Sequence, residues 1–164
     1  MALRERASLV ELGSYCGKST LAIALTLQAL DPGNVAFHTV DPHDGYEFAQ
    51  GVDTYGSLLE TLARNGVSDR VVVVRASSRE LKWNEPVALL FLDALHDYES
   101  VRDDYARFAP WLVPDGFVAF HDHSAAFPGV MRIVRELTES GELALAGHRD
   151  GLVALRRLPD VRSA

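Results

Sequence analysis

With 164 residues, 48% of them hydrophobic and 24% charged, the chain can bury the core of one ordinary soluble domain but not of two. A net charge of −7 argues against general nucleic-acid binding, which needs a basic face to meet the phosphate backbone. The single cysteine, Cys16, excludes an internal disulfide and suits a reducing compartment, and the apolar stretch 87–92 is far too short to cross a bilayer. Residues 1–10 carry Arg4, Glu5 and Arg6 and no signal-like apolar core, so the cytoplasm is the expected location.

In chain order, 8–12 reads as a buried strand and 17–30 as a helix with apolar positions Leu21, Ile23, Ala24, Leu25, Leu27 and Leu30. Asp31-Pro32-Gly33-Asn34 stops that helix and turns into a second strand, 35–40. The polar stretch 41–53 is a long loop and a candidate lid, followed by a helix over 54–65 that Asn65-Gly66 ends. The valine run in 71–75 suits a strand buried on both faces, as does 86–93. A helix over 98–111 puts Val101, Tyr105, Phe108 and Trp111 on one side. Pro114-Asp115-Gly116 then turns into the strand 117–121, and a helix covers 127–140. The runs 143–147 and 152–155 form a hairpin through Asp150-Gly151. No repeat, low-complexity tract or linker interrupts the chain, so residues 1–164 read as one α/β domain: a doubly wound, mostly parallel seven-stranded sheet closed by an antiparallel hairpin. No helix face shows an unpaired apolar stripe, which leaves a homodimer as a bare expectation.

In such sheets ligands sit beyond the carboxyl ends of the strands, so the residues just after each strand carry the functional argument. After the first strand come Glu11-Leu12-Gly13-Ser14-Tyr15-Cys16-Gly17-Lys18-Ser19-Thr20, where two glycines let the backbone turn tightly beside a ligand. Gly17-Lys18-Ser19 ends like a phosphate-cradling loop, but three residues separate the glycines where that loop needs four. The Glu11 carboxylate instead suits a cationic ligand with an amino group. Asp41 follows the second strand, placed to take both hydroxyls of a ribose or simply to mark an Asp-Pro strand exit. Ala76, Ser77 and Ser78 follow the third, able to lie against an adenine edge or to cap a helix. After the fourth strand Asp93 should project into the cleft, with His96 one turn on; the pair can act as metal ligand and general base, or as base and orienter. His121-Asp122 follows the fifth strand and should converge with Asp93. Asp93, His121 and Asp122 fit a divalent-metal site for Mg, Mn, Zn or Fe, or else a hydrogen-bonded polar knot at the sheet edge.

These residues together carry a resemblance. The run from Val10 to Thr20 resembles the first motif of class I S-adenosylmethionine-dependent methyltransferases. Asp93, His96, Tyr98, Asp103-Asp104, Trp111, Pro114, Gly116 and Phe120-His121-Asp122 resemble the subfamily of macrolide sugar O-methyltransferases and cephalosporin-hydroxylase-like proteins, with the catechol O-methyltransferases as more distant relatives. The resemblance implies a Rossmann-like methyltransferase fold that binds S-adenosyl-L-methionine. Glu11, Gly13, Ser14, Gly17 and Ser19 would wrap its methionine part, Asp41 its ribose and Ser77 its adenine, with Asp93 closing the cofactor site. It further implies a divalent metal such as Mg at Asp93, His121 and Asp122, and His96 as general base with Asp93 beside it. In catechol-type members a carboxylate stands where this chain has His121. Only about seven residues precede the first strand, where relatives carry a helical cap over the acceptor, so most of that cap is expected to be missing.

The implied reaction is in-line methyl transfer to an oxygen of a small-molecule acceptor with vicinal oxygens, a sugar diol or a catechol, with no nucleic-acid or membrane partner. Three rivals share parts of the pattern: a phosphate-loop nucleotide hydrolase, a nicotinamide dehydrogenase, which needs a G-x-G-x-x-G turn this chain lacks, and a non-catalytic cofactor-binding module.

Overall fold

Apolar, β-branched runs that end on a charged or glycine residue determine this architecture: each becomes a central strand, and the residue after it is left at the sheet's rim. The computed structural model describes residues 7–30, 35–44 and 51–159. Its strands are β1 (Ser8–Leu12), β2 (Phe37–Val40), β3 (Val72–Val74), β4 (Val87–Leu92), β5 (Leu112–Phe120), β6 (Leu143–Arg149) and β7 (Leu152–Arg157). They form one seven-stranded sheet in the order β3-β2-β1-β4-β5-β7-β6. The neighbours among β1 to β5 pair in parallel, and β7 runs antiparallel to both β5 and β6. The expected doubly wound sheet with a closing hairpin is therefore present. Asp150 and Gly151 both have positive φ, 48° and 82°, as the two-residue turn of a right-twisted hairpin requires.

Helices α1 (Lys18–Leu30) and α2 (Thr54–Arg64) cover one face, around Ala24, Phe37, Leu58 and Leu62; α3 (Tyr98–Phe108) and α4 (Pro128–Glu139) cover the other, around Leu12, Leu90, Phe108, Phe120 and Ile133. Side-chain caps fix two helix starts: Asp53 accepts from the Gly56 N–H, and Asp97 from the Ser100 N–H. None of the helices among the described residues is long and apolar enough to cross a membrane.

Three expectations change. The valine run does not lie buried on both faces: β3 is the sheet's edge, and Val72 is 48% exposed. Pro114-Asp115-Gly116 is not a turn before the strand but lies inside β5, where five residues of β5 span two of β4 between the pairs Val87↔Leu112 and Leu89↔Phe117. The extra length bulges out because Pro114 offers no N–H to a ladder and Asp115 takes a positive φ of 61°. Helix α3 ends at Phe108 and not at 111, and Trp111 is 37% exposed instead of sharing the buried side with Val101, Tyr105 and Phe108. The Asp31-Pro32-Gly33-Asn34 stop and positions 45–50 of the proposed lid lie outside the described residues.

Strand register positions the site. The ladder continues one residue past the strand ends: the Asp41 N–H donates to Val74 O, Gly13 to Val40 O, Asp93 to Leu12 O and His121 to Leu92 O. Asp41, Gly13, Asp93 and His121 thus stand in one row along the rim, where the strand order reverses at β1.

Candidate functional site

Two cavities open along that row. The first, of about 430 Å³, is lined by Gly13, Ser14, Tyr15, Lys18, Ser19, Ala22, Asp41, Asp93, Ala94, His96 and His121. The second, of about 420 Å³, lies among Leu12, Gly13, Val40, Pro42, Asp44, Ser77, Ser78, Arg79, Ala94, Leu95, Ser100 and Asp104. Gly13 and Ala94 belong to both, so the two are lobes of one cleft. Gly13 makes their junction narrow. Its φ is 91°, and a Cβ there would come within 2.3 Å of the Asp93 carbonyl oxygen. Only glycine satisfies both conditions.

The glycine turn is held from β2. Asp41 is 1% exposed and accepts three backbone N–H groups: Ser14 at 2.9 Å and Tyr15 at 2.8 Å on Oδ2, and His43 at 2.8 Å on Oδ1. A carboxylate already holding this many donors is first of all a clamp on the turn. His43 extends the network. Its Nδ1 lies 2.9 Å from Thr54 Oγ1 at the start of α2, and its Nε2 lies 3.4 Å from Ser14 Oγ. Burial lowers its pKa and favours the neutral ring. Glu11 lies beneath the turn, fully buried, and lines neither lobe. Its Oε2 accepts from Thr20 Oγ1 at 2.6 Å and Thr39 Oγ1 at 2.7 Å, while Oε1 has no hydrogen-bond partner among the described residues. Burial raises its pKa above the ordinary 4.5, against the hydroxyls of Ser19, Thr20 and Thr39. Gly17 packs against Leu58 of α2 and faces neither lobe. Ser77 reaches the second lobe, although its N–H and hydroxyl both donate to Glu80 Oε2.

At the other end of the first lobe the loops after β4 and β5 converge. His96 Nε2 lies 2.9 Å from Asp122 Oδ2 and 3.8 Å from Asp93 Oδ1. His121 Nδ1 lies 3.1 Å from Asp93 Oδ1 and 3.3 Å from Asp122 Oδ2. Both ring nitrogens are buried, yet neither makes a hydrogen bond of good geometry. Asp93, His96 and Asp122 each bring a ligand atom within 4.8 Å of the others. Two carboxylates around buried, unsatisfied imidazole nitrogens are the donor set a divalent cation takes, so the residues fit a metal. The pKa of His96 is raised, by Asp93 foremost, against burial and with the charges of Asp122 and Asp97. The predicted Asp93, His121 and Asp122 therefore do meet, and His96 joins them.

The segment after β5 also braces His96. Asp122 takes a φ of 55°, a left-handed conformation that aspartate tolerates better than most residues. Phe127 stacks on the His96 ring at a centroid distance of 4.6 Å, and a Cβ on Gly129 would come within 2.7 Å of the His96 carbonyl oxygen. The sequence reading gave no role to Phe127, Gly129 or the His43–Thr54 link, and named Asp104 only within the subfamily pattern. Of these only Asp104 left a signal: a charge at three residues after Val101 and four before Phe108, on the buried face of α3.

A model of the family described as "Methyltransferase domain" matches residues 10–123. The chain belongs to this family. It is a class I S-adenosylmethionine-dependent methyltransferase, and the matched span holds the glycine turn, Asp41, Asp93, His96, His121 and Asp122. Among solved structures, the O-methyltransferase NovP is 18% identical with a TM-score of 0.75 over 95% of this chain and 74% of its own. CalS11, a TDP-rhamnose 3′-O-methyltransferase of calicheamicin biosynthesis, is 20% identical with a TM-score of 0.69 over 94% and 73%. TomG from Streptomyces achromogenes, solved in complex with S-adenosylmethionine, is 18% identical with a TM-score of 0.68 over 96% and 75%. At such identities the likeness speaks for the fold of this methyltransferase and leaves its acceptor to the chemistry of the cleft.

Proposed function

We propose that this methyltransferase transfers the methyl group of S-adenosylmethionine to a hydroxyl oxygen of a small acceptor with neighbouring oxygens, such as a sugar diol on a natural product, with a divalent cation assisting. The observation that carries the reading is the convergence of Asp122 with Asp93, His96 and His121, the last three lining the first lobe next to the glycine junction. The activity of CalS11, on a sugar, supports the acceptor class.

S-adenosylmethionine supplies, when bound, a methyl carbon already activated on a sulfonium, so the chain's own work is orientation and the handling of one proton. The glycine turn, kept in shape by Asp41, and Ser19 are assigned the amino-acid end, with the nucleoside in the second lobe. His96 takes the acceptor's proton; its raised pKa suits a base that works near neutral pH. Asp122 orients the ring and stabilises it once charged, and Phe127 limits its rotation. Asp93, His121 and Asp122 would hold a divalent cation, whose fixed positive charge would favour ionisation of the attacking hydroxyl. A second reading, favoured by the 4.8 Å grouping, makes His96 a cation ligand and not the proton acceptor.

Calorimetry is expected to show micromolar binding of S-adenosylhomocysteine and none of ATP; ATP binding alone overturns the reading. Transfer of labelled methyl to glycosides with vicinal diols is expected to stop on chelation and return with Mg or Mn. His96→Ala separates the two roles: lost turnover at saturating cation marks the proton acceptor, and weakened Mn affinity marks the ligand.

A further inference from the structure

Two imidazoles outside the cleft are left without a task. His123, two residues beyond His121, and His148 on β6 have ring centroids 5.4 Å apart at 82°, and neither lines a lobe of the cleft. The backbone holds both in place. The His123 N–H donates to Gly151 O at 2.8 Å, tying the segment after β5 to the hairpin turn. On β6 an extra residue, Ala146, lies between the pairs Leu145↔Leu155 and Gly147↔Ala154. Such a bulge reverses the alternation of side chains beyond it and re-aims them. His148 therefore shares a face with its partner Val153, whose side chain joins Val130 and Ile133 of α4 in the core. Without Ala146 it would stand on the opposite face of the sheet.

The separation is that of two imidazoles on one ion. With Zn–N bonds of about 2.0–2.1 Å each ring centroid lies roughly 3.2 Å from the metal, and a tetrahedral angle sets the two about 5.2 Å apart. Access is open: His148 is exposed, and His123 borders a cavity of about 560 Å³ along α4. The two arginines on that wall oppose a cation weakly, because Arg132 is paired with Glu136 at 2.8 Å and Arg135 is exposed to screening solvent. Among the described residues the one group of three or more possible ligands is Asp93, His96 and Asp122, so no carboxylate stands with both rings. Imidazoles without oxygen ligands suit Zn, Ni or Cu, whereas Mg and Ca take oxygen.

We infer that His123 and His148 form a second metal site, for a borderline transition cation such as zinc, with water completing the coordination. It is separate from the carboxylate-bearing cluster at Asp93 and Asp122 and selects a different class of ion. A cation there staples the segment that carries His121, Asp122 and Phe127 to the hairpin of β6 and β7.

The test is zinc titration of the whole chain at saturating magnesium, followed by calorimetry and by hydrogen exchange of the backbone amides. Wild type is compared with His148→Phe, which keeps a ring beside His123 and removes the nitrogens. Both proteins keep Asp93, His96, His121 and Asp122, so the difference between them isolates the pair. Wild type is expected to bind one more zinc per chain, at micromolar concentration. Zinc is expected to slow exchange of the His123 amide by about tenfold in wild type and not in the variant. His123→Phe is expected to lose the same zinc. Equal zinc stoichiometry in wild type and His148→Phe overturns the inference and leaves the two rings as an aromatic contact. So does loss of the zinc in His148→Phe with retention in His123→Phe, which gives His148 another partner. His148 is exposed, so the first comparison holds even if His123→Phe does not fold.

Discussion

Asp41 and Asp93 hold matching places. Each is the first residue beyond an apolar strand, each stands in the same row of the rim, and the two strands flank β1 from opposite sides. Their surroundings are opposite. Asp41 is sealed and accepts three backbone N–H groups. Asp93 keeps a side chain 23% exposed and faces a second carboxylate and two imidazole nitrogens that lack hydrogen bonds. The difference is set by donors and not by the acids. The glycine turn folds toward β2 and spends the N–H groups of Ser14 and Tyr15 on Asp41, away from the cluster after β4 and β5. One side is finished as structure, and the other keeps unsatisfied groups for chemistry.

Substitutions break this comparison in a graded way. The largest effect is expected from Asp122→Asn, which removes the partner nearest His96: turnover should drop by about 10²–10⁴-fold, with S-adenosylhomocysteine affinity and melting temperature near wild type. Radiolabel transfer alongside calorimetry checks this, and a parallel loss of cofactor binding would dissolve the contrast. Asp41→Asn should do the reverse. It sets an amide donor against backbone donors, and denaturant melts should show a loss of about 1–3 kcal/mol together with weaker cofactor binding.

Glu11→Gln is smaller and depends on pH. Burial holds Glu11's pKa above 4.5, so the folded chain keeps a proton that the unfolded chain has released, and stability falls as pH rises from 4.5 through the folded value. The amide removes that slope. The variant should melt higher than wild type at pH 7 and converge with it below pH 4.5. Equal melting of the two proteins at both pH values would show that folding does not shift the Glu11 carboxyl. The smallest effect is Phe127→Leu, where losing the stacking contact should reduce kcat by about two- to tenfold and leave cofactor affinity alone.

Much of the site was legible because the strands end abruptly. Leu12, Val40, Leu92 and Phe120 each precede a glycine, an acid or a histidine, and parallel register then brings those residues together without further information. What a linear reading lacks is the destination of each hydrogen bond. Asp41 reads equally as ribose ligand or turn clamp until the direction of the glycine turn is known. The valine run of β3 looks like a central strand because composition reports on apolarity and not on how many neighbours a strand has. Asp104 was visible as an acid on an apolar helix face, yet its partner Ser78 is 26 residues away. His43, with a φ of 51°, and Phe127 act through conformations and stacking that no spacing rule encodes.

The junction at Gly13 has a consequence for how such a cleft can diversify. A Cβ there would meet the Asp93 carbonyl at 2.3 Å and the Ala94 Cα at 2.8 Å, so the seam between the two lobes is main chain against main chain. Selection has no side chain at that seam to enlarge, shrink or recharge. The separation of the two lobes is therefore set by main chain alone, whatever side chains line the walls on either side. Any change in what this cleft accepts has to come from side chains away from the seam.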